Sequence, residues 1–103
     1  MAVGADDTRA KHQSLLKELQ EERAAALARI SRRLERLIGQ LQTTREQIAH
    51  SSDEDRKRNV TAYRELREQA VKYRWYLEVQ REAIGLGQHH SLNEFYRIPP
   101  AEP

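Results

Sequence analysis

The chain has 103 residues, 33% of them charged, with 18 basic and 16 acidic side chains and no cysteine. This length allows one thin domain, and the missing thiols exclude disulfides, thiolate metal sites and a thiol nucleophile. The near balance of charge argues against a dedicated nucleic-acid-binding protein, which usually carries a clear basic excess. The first residues do not have the pattern of a signal peptide, and no apolar run is long enough to span a membrane, so we expect a soluble, cytoplasmic protein.

The first predicted helix follows a short polar start. Residues 1–7 are small or acidic, and we expect them to be disordered, with Thr8 as a candidate N-cap. Helix 1 is predicted from residue 8 to residue 49, because large apolar residues recur every three or four positions, as along the seam of packed helices. These residues are Leu16, Leu27, Ile30, Leu34, Leu37, Leu41 and Ile48. Leu15, Leu19 and residues 24–26 broaden the stripe, which suits a bundle of more than two helices.

A second stripe begins on a different phase after a polar gap. No large apolar residue occurs in residues 49–59, and the stripe then resumes at Tyr63, Leu66, Ala70, Tyr73, Leu77 and Ile84. One straight helix would lose its seam at this shift, whereas two helices folded back on each other keep both stripes buried. Ser51 and Glu54 also have the spacing of a capping box. We therefore predict an all-α fold in which residues 8–85 form a long antiparallel, coiled-coil-like hairpin, with helix 2 over residues 53–84.

The predicted tail comprises residues 86–103. Gly85 suits the left-handed position that ends many helices, and the spacing of Ser91 and Glu94 predicts a short helical turn at about residues 92–97. Two prolines, Pro99 and Pro100, then extend the backbone. Two arrangements remain open: the tail folds back onto helix 2 as far as Tyr96, or it is a free docking peptide for another protein.

Helix 2 has an apolar face outside its seam. Val71, Trp75 and Val79 lie on it at helical spacing, and Tyr76 is beside Trp75. A single hairpin leaves this face open, so the tail, a second subunit or another protein must cover it. The predicted protein-interaction residues are Val71, Trp75, Tyr76, Val79, Leu92, Phe95, Tyr96 and Ile98.

Arginines cluster within two turns of helix 1, at Arg29, Arg32, Arg33 and Arg36. Guanidinium groups match phosphate oxygens, which makes this cluster a candidate anion-binding or nucleic-acid-binding patch. A solvated or salt-bridged face is the more ordinary interpretation, because no aromatic residues are interleaved with the arginines. Arg23 interrupts the seam of helix 1, and we expect it to pair with Glu78 or Glu82 across the hairpin.

The sequence contains no pattern typical of catalysis. It has no nucleophile elbow and no glycine-rich phosphate loop, and His89 and His90 lack the Glu-x-x-His spacing of bundle metal sites. We therefore expect no enzyme activity, no catalytic residues, no cofactor, no metal and no small-molecule substrate.

The predicted function is that of a helical protein–protein interaction module: a scaffold, adaptor or regulatory subunit. We expect it to self-associate as a homodimer or larger oligomer, for example as a four-helix bundle, and to bind another protein. The alternative is a nucleic-acid-associated protein that uses the arginine patch. A lipid-surface protein is disfavoured, because the polar faces mix acids with bases.

Overall fold

The computed structural model describes residues 3–87 and 90–103, and within these ranges it contains three helices and no strand. α1 spans Val3–Ala49, α2 spans Asp53–Ala83 and the short α3 spans His90–Phe95. α1 and α2 pack against each other along an elongated molecule of 80 × 23 × 14 Å. The prediction of an all-α fold built on a long helical hairpin is confirmed. The structure contains one chain, so the four-helix bundle or larger oligomer stays a prediction.

α1 begins earlier than the sequence pattern predicts. Thr8 is not an N-cap, because its hydroxyl donates to the carbonyl of Gly4 at 2.7 Å, a bond that threonine makes inside a helix. Asp6 lies in the first turn, where a carboxylate interacts favourably with the positive end of the helix dipole. Residues 3–7 are therefore helical rather than disordered, and residues 1 and 2 lie outside the described ranges.

The core is a single seam between α1 and α2. Its buried apolar side chains come from both predicted stripes: Leu34, Leu37, Leu41, Ile48, Tyr63, Ala70 and Leu77. Thr44, a polar position of the first stripe, is also buried. The stripe of α1 is buried only where α2 lies opposite, which is why Leu16, near the start of the stripe, remains exposed.

The loop between α1 and α2 is three residues long, which makes the two helices antiparallel neighbours. The N-cap of α2 is Ser52, whose side chain makes no hydrogen bond to a backbone N–H of the helix. Ser51 does not cap α2 as predicted. Its hydroxyl instead donates to the backbone carbonyl of Gln47 and accepts a hydrogen bond of 3.0 Å from the side-chain amide, Nδ2, of Asn59. Ser51 therefore ties the end of α1 to the first turns of α2.

α2 ends in a Schellman motif centred on Gly85, as predicted. Gly85 has a φ of 86°, in the left-handed region. Its N–H donates to the carbonyl of Glu82 at 3.0 Å, and the N–H of Leu86 donates to the carbonyl of Arg81 at 2.8 Å. This cap ends α2 and redirects the chain into the tail. None of the helices in the described ranges has a segment both long and apolar enough to cross a membrane.

Candidate interaction surfaces

The tail packs on the hairpin from α3 onward. Leu92 is 2% exposed and belongs to the core, and Tyr96 and Ile98 are partly buried against it. Phe95, on the same short helix as Leu92, is 76% exposed. The tail therefore folds back, and it does so beyond Tyr96, the limit that the sequence suggests. Of the predicted interaction residues in the tail, Leu92, Tyr96 and Ile98 contact the chain's own core and Phe95 faces solvent.

Two side chains of α2 hold the last residues of the tail. The hydroxyl of Tyr63 donates to the carbonyl of Pro100 at 2.5 Å, and Nε of Arg67 donates to the carbonyl of Pro99 at 3.0 Å. Residues 95–100 are therefore not a free docking peptide in this chain. The stripe pattern predicts only that Tyr63 lies in the seam, although a tyrosine buried there needs an acceptor for its hydroxyl. Nothing in the sequence around Arg67 indicates that this side chain binds the tail.

The first exposed apolar surface lies where α1 extends past the end of α2. α1 is 16 residues longer than α2, 47 against 31, which corresponds to about 24 Å of unpaired helix at 1.5 Å per residue. Leu15, Leu16 and Leu19 on this segment are 64%, 47% and 43% exposed. We call the segment the overhang and these three leucines the overhang surface. They continue the stripe of α1: Leu15 and Leu16 lie beyond the end of α2, and Leu19 lies beside its last turns.

An open groove leads from the overhang to α2. It has a volume of about 460 Å³, and its walls include Leu19, Ala25 and Ala26 of α1 and Gln80 of α2. The two alanines are small, so the axis of another helix could approach α1 closely at this point.

The second exposed apolar surface is the outer surface of α2, formed by Val71, Trp75 and Val79. Trp75 is 59% exposed, and its ring centre lies 5.6 Å from that of the half-buried Tyr76. The ammonium group of Lys72 lies 5.7 Å from the centre of the Tyr76 ring. The folded-back tail leaves this surface exposed, so of the three candidates for covering Trp75 the tail is excluded, and a second subunit and another protein stay predictions. The tail packs against the core instead, because its apolar residues meet the seam.

The arginine patch is divided between two roles. Arg33 contacts α2, since its Nη2 donates to Oε1 of Gln69 at 3.2 Å and its guanidinium carbon lies 5.7 Å from the centre of the Tyr73 ring. The other three are exposed: Arg29, Arg32 and Arg36. As a candidate anion site, the patch therefore offers three solvent-facing guanidinium groups and a fourth that bridges the two helices.

In the described part of the chain, Glu78, one of the two predicted partners of Arg23 across the hairpin, pairs with another arginine. Arg23 is exposed at the rim of the groove described above, and Glu78 bonds to Arg74 of its own helix at 3.9 Å. The i,i+4 spacing of Arg74 and Glu78 gives the carboxylate a nearer partner. Among the described residues, no three histidine, aspartate or glutamate side chains come together as metal ligands. His89 lies outside those residues.

No protein-family model, no curated protein and no solved structure matches this chain.

Proposed function

We propose that this chain is a non-enzymatic helical protein–protein interaction module, a scaffold, adaptor or regulatory subunit, that self-associates through the overhang surface. The supporting observation is that Leu15, Leu16 and Leu19 continue a stripe that is fully buried farther along α1, at Leu34, Leu37 and Leu41. Burying a fully exposed leucine side chain contributes about 1.5–3 kcal/mol; these three leucines are about half exposed, so a helix laid against the overhang gains part of that free energy from each. Contiguous exposed apolar residues of this kind are typical of protein interaction sites.

The charges of residues 9–22, which cover most of the overhang and the turn after it, favour a second copy of the chain as the partner. Residues 9–17 contain basic side chains and no acid, and residues 18–22 contain acidic side chains and no base. The bases are Arg9, Lys11 and Lys17, and the acids are Glu18, Glu21 and Glu22. Antiparallel pairing of two overhangs sets the bases of each copy against the acids of the other, whereas parallel pairing sets like charges together. In a two-fold dimer of this kind both copies use the same surface, so no overhang surface is left over to bind a third copy.

Sedimentation equilibrium tests the proposal with a matched pair of variants. Leu16→Glu with Leu19→Glu places two charges in the proposed interface, and both positions are exposed in the single chain, so the hairpin should still fold. Ala10→Glu with Ser14→Glu adds the same charge on the opposite face of the overhang. We expect the wild type and the second variant to be dimers at micromolar concentration and the first variant to be a monomer.

The melting temperature provides an independent measurement. A dimer that dissociates on unfolding has a melting temperature that increases with protein concentration. A wild-type chain that sediments as a monomer, with a melting temperature independent of concentration, would contradict self-association.

The outer surface of α2 is the proposed site for another protein, because tryptophan and tyrosine are the commonest anchors of protein interfaces. Trp75→Ser should leave the dimer intact while removing this anchor. A monomeric Trp75→Ser chain would instead place the dimer interface on α2. The nucleic-acid alternative has less support, since Arg33 already contacts α2 and the net charge is only +2. That alternative predicts that the chain binds nucleic acid at low salt and that its affinity falls steeply as salt is added.

A further inference from the structure

The end of the tail lies on the hairpin in the manner of a bound peptide. Residues 97–100 form neither helix nor strand, and two donors on α2 hold them by the backbone. These donors are the Tyr63 hydroxyl and the Arg67 Nε, which bond to the carbonyls of Pro100 and Pro99. The two bonds therefore engage successive main-chain oxygens, which any peptide in the same conformation would present.

Two successive prolines are the residues best suited to such donors. Proline has a fixed φ and no N–H, so a Pro-Pro segment is held in an extended conformation and keeps its carbonyls free for an outside donor. The residue before a proline is also restricted to extended angles, which applies here to Ile98. Because the segment is ordered before it binds, little conformational entropy is lost. The ligand class that fits these donors is an extended proline-rich peptide.

Side chains flanking the prolines add two further contacts. Ile98 is partly buried and packs against the core, immediately before the prolines. After them, the carboxylate of Glu102 lies 3.9 Å from the guanidinium of Arg64, with both groups exposed. Exposed ion pairs contribute little free energy, so this second contact favours an acid at that position without fixing the peptide. The surface around Tyr63 and Arg67 therefore favours an apolar residue followed by two prolines, with at most a weak preference for an acid two residues later.

The tail lies in a groove between α1 and α2, and it is held there on the α2 side only. Both backbone hydrogen bonds come from α2, and an open cleft of about 510 Å³ lies along the other side, where Gln42 and Arg45 of α1 face the tail. Pro100 is itself exposed. The last residues of the tail can therefore leave without opening the seam between the helices. Their departure exposes a buried tyrosine whose hydroxyl needs another acceptor.

We propose that the groove lined by Gln42, Arg45, Tyr63, Arg64 and Arg67 binds proline-rich segments of other proteins, and that the chain's own residues 97–103 occupy it as a tethered competitor. A short tether gives the tail an effective concentration in the millimolar range, so a partner segment binds the wild-type chain weakly until the tail is displaced. This site is separate from the overhang surface and from the outer surface of α2, and it does not depend on self-association.

The test uses the full chain with a weakened tail. Pro99→Ala with Pro100→Ala removes the fixed extended conformation of the tail and leaves every groove residue in place. The probe is a fluorescein-labelled peptide with the sequence of residues 97–103, and its binding is measured by fluorescence anisotropy. We expect the weakened-tail chain to bind the probe at least tenfold more tightly than the wild type does, because the competitor is impaired. A probe with both prolines replaced by alanine should bind neither chain measurably.

Groove variants in the weakened-tail chain test which residues bind the probe. Tyr63→Phe and Arg67→Met each remove one donor, and each should weaken probe binding by about fivefold to tenfold, the effect of one hydrogen bond. Glu65→Gln, exposed on α2 and away from the groove by helical spacing, is the matched control and should bind as before. Circular dichroism shows whether each variant remains folded, and Arg67→Met provides the result if Tyr63→Phe does not fold.

Three outcomes would overturn the proposal. The first is no probe binding to the weakened-tail chain at millimolar probe concentration. The second is binding that neither groove variant reduces, which would place the probe elsewhere. The third is a dimer of the wild-type chain that disappears when the tail is weakened or when the probe is added. That result would assign the groove to the tail of a second copy.

Discussion

Leu92→Ala should release the tail while the hairpin stays folded. Leu92 is 2% exposed and is the buried apolar residue of α3. Replacing a buried leucine by alanine costs about 2–5 kcal/mol. The loss cannot exceed the free energy that holds the tail, because a released tail has no further contact to lose. Beyond Leu92, the tail is held by two hydrogen bonds from α2, each contributing about 1 kcal/mol, and by the partly buried Tyr96 and Ile98. We therefore expect a decrease of about 2–3 kcal/mol, at the lower end of the range for such substitutions.

Phe95→Ala is the matched control, because Phe95 lies on the same short helix and is 76% exposed. Its effect should stay within about 0.5 kcal/mol, as for most surface substitutions. Urea denaturation followed by circular dichroism measures both free energies of unfolding. Hydrogen exchange of the Tyr96 amide, which donates to the Leu92 carbonyl at 2.9 Å, reports the tail directly. Equal losses in the two variants would show that burial of Leu92 does not hold the tail. Trp75 emission should hardly change, since Trp75 is already exposed.

Four further substitutions are measured by the same denaturation experiment. Gly85→Ala should lower the free energy of unfolding by about 1–2 kcal/mol, because alanine is strained at a φ of 86°; no loss would mean that the cap rearranges. Gly39→Ala should raise it by about 1 kcal/mol, since an added Cβ meets nothing within 4 Å and alanine favours the helix; a decrease would reveal a chain packed closely there. Ser52→Ala should lower the free energy of unfolding by only about 0.3 kcal/mol, because its side chain bonds to no helix N–H. Loss of a functional N-cap would cost about 1 kcal/mol. Arg33→Ala should lower it by about 1 kcal/mol through loss of the contacts with Gln69 and Tyr73, and a neutral result would show both contacts to be dispensable.

The hairpin could be predicted from the sequence because its cause is periodic. Each helix must bury a stripe, and the phase shift between the stripes is incompatible with one straight helix. Gly85 could be predicted for a related reason, since few residues other than glycine adopt the left-handed angles that end a helix. In both cases a local sequence rule and the packed structure favour the same arrangement.

The position of the tail could not be predicted in the same way. The tail bonds to Tyr63 and Arg67, residues more than thirty positions earlier in the chain, and no periodicity connects those positions. The two N-cap predictions, at Thr8 and Ser51, were wrong for a different reason. Ser and Thr hydroxyls can bond forward to a helix N–H or back to a carbonyl, and Thr8 and Ser51 both bond back. Arg33 could not be assigned either, because an arginine on a helix face can reach solvent or a neighbouring helix equally well.

The overhang of α1 has a consequence for how order spreads along the chain. A helix of about 16 residues alone in water would be marginally stable, because forming its first turn is unfavourable. Here that turn is already formed, since the overhang continues a helix anchored by the seam, and each further residue adds only a propagation step. A partner therefore meets leucines already aligned and loses little conformational entropy in ordering them. Because α2 does not extend along this segment, its backbone is less protected, so opening of α1 should begin in the overhang and advance towards Leu27, where the seam begins to be covered.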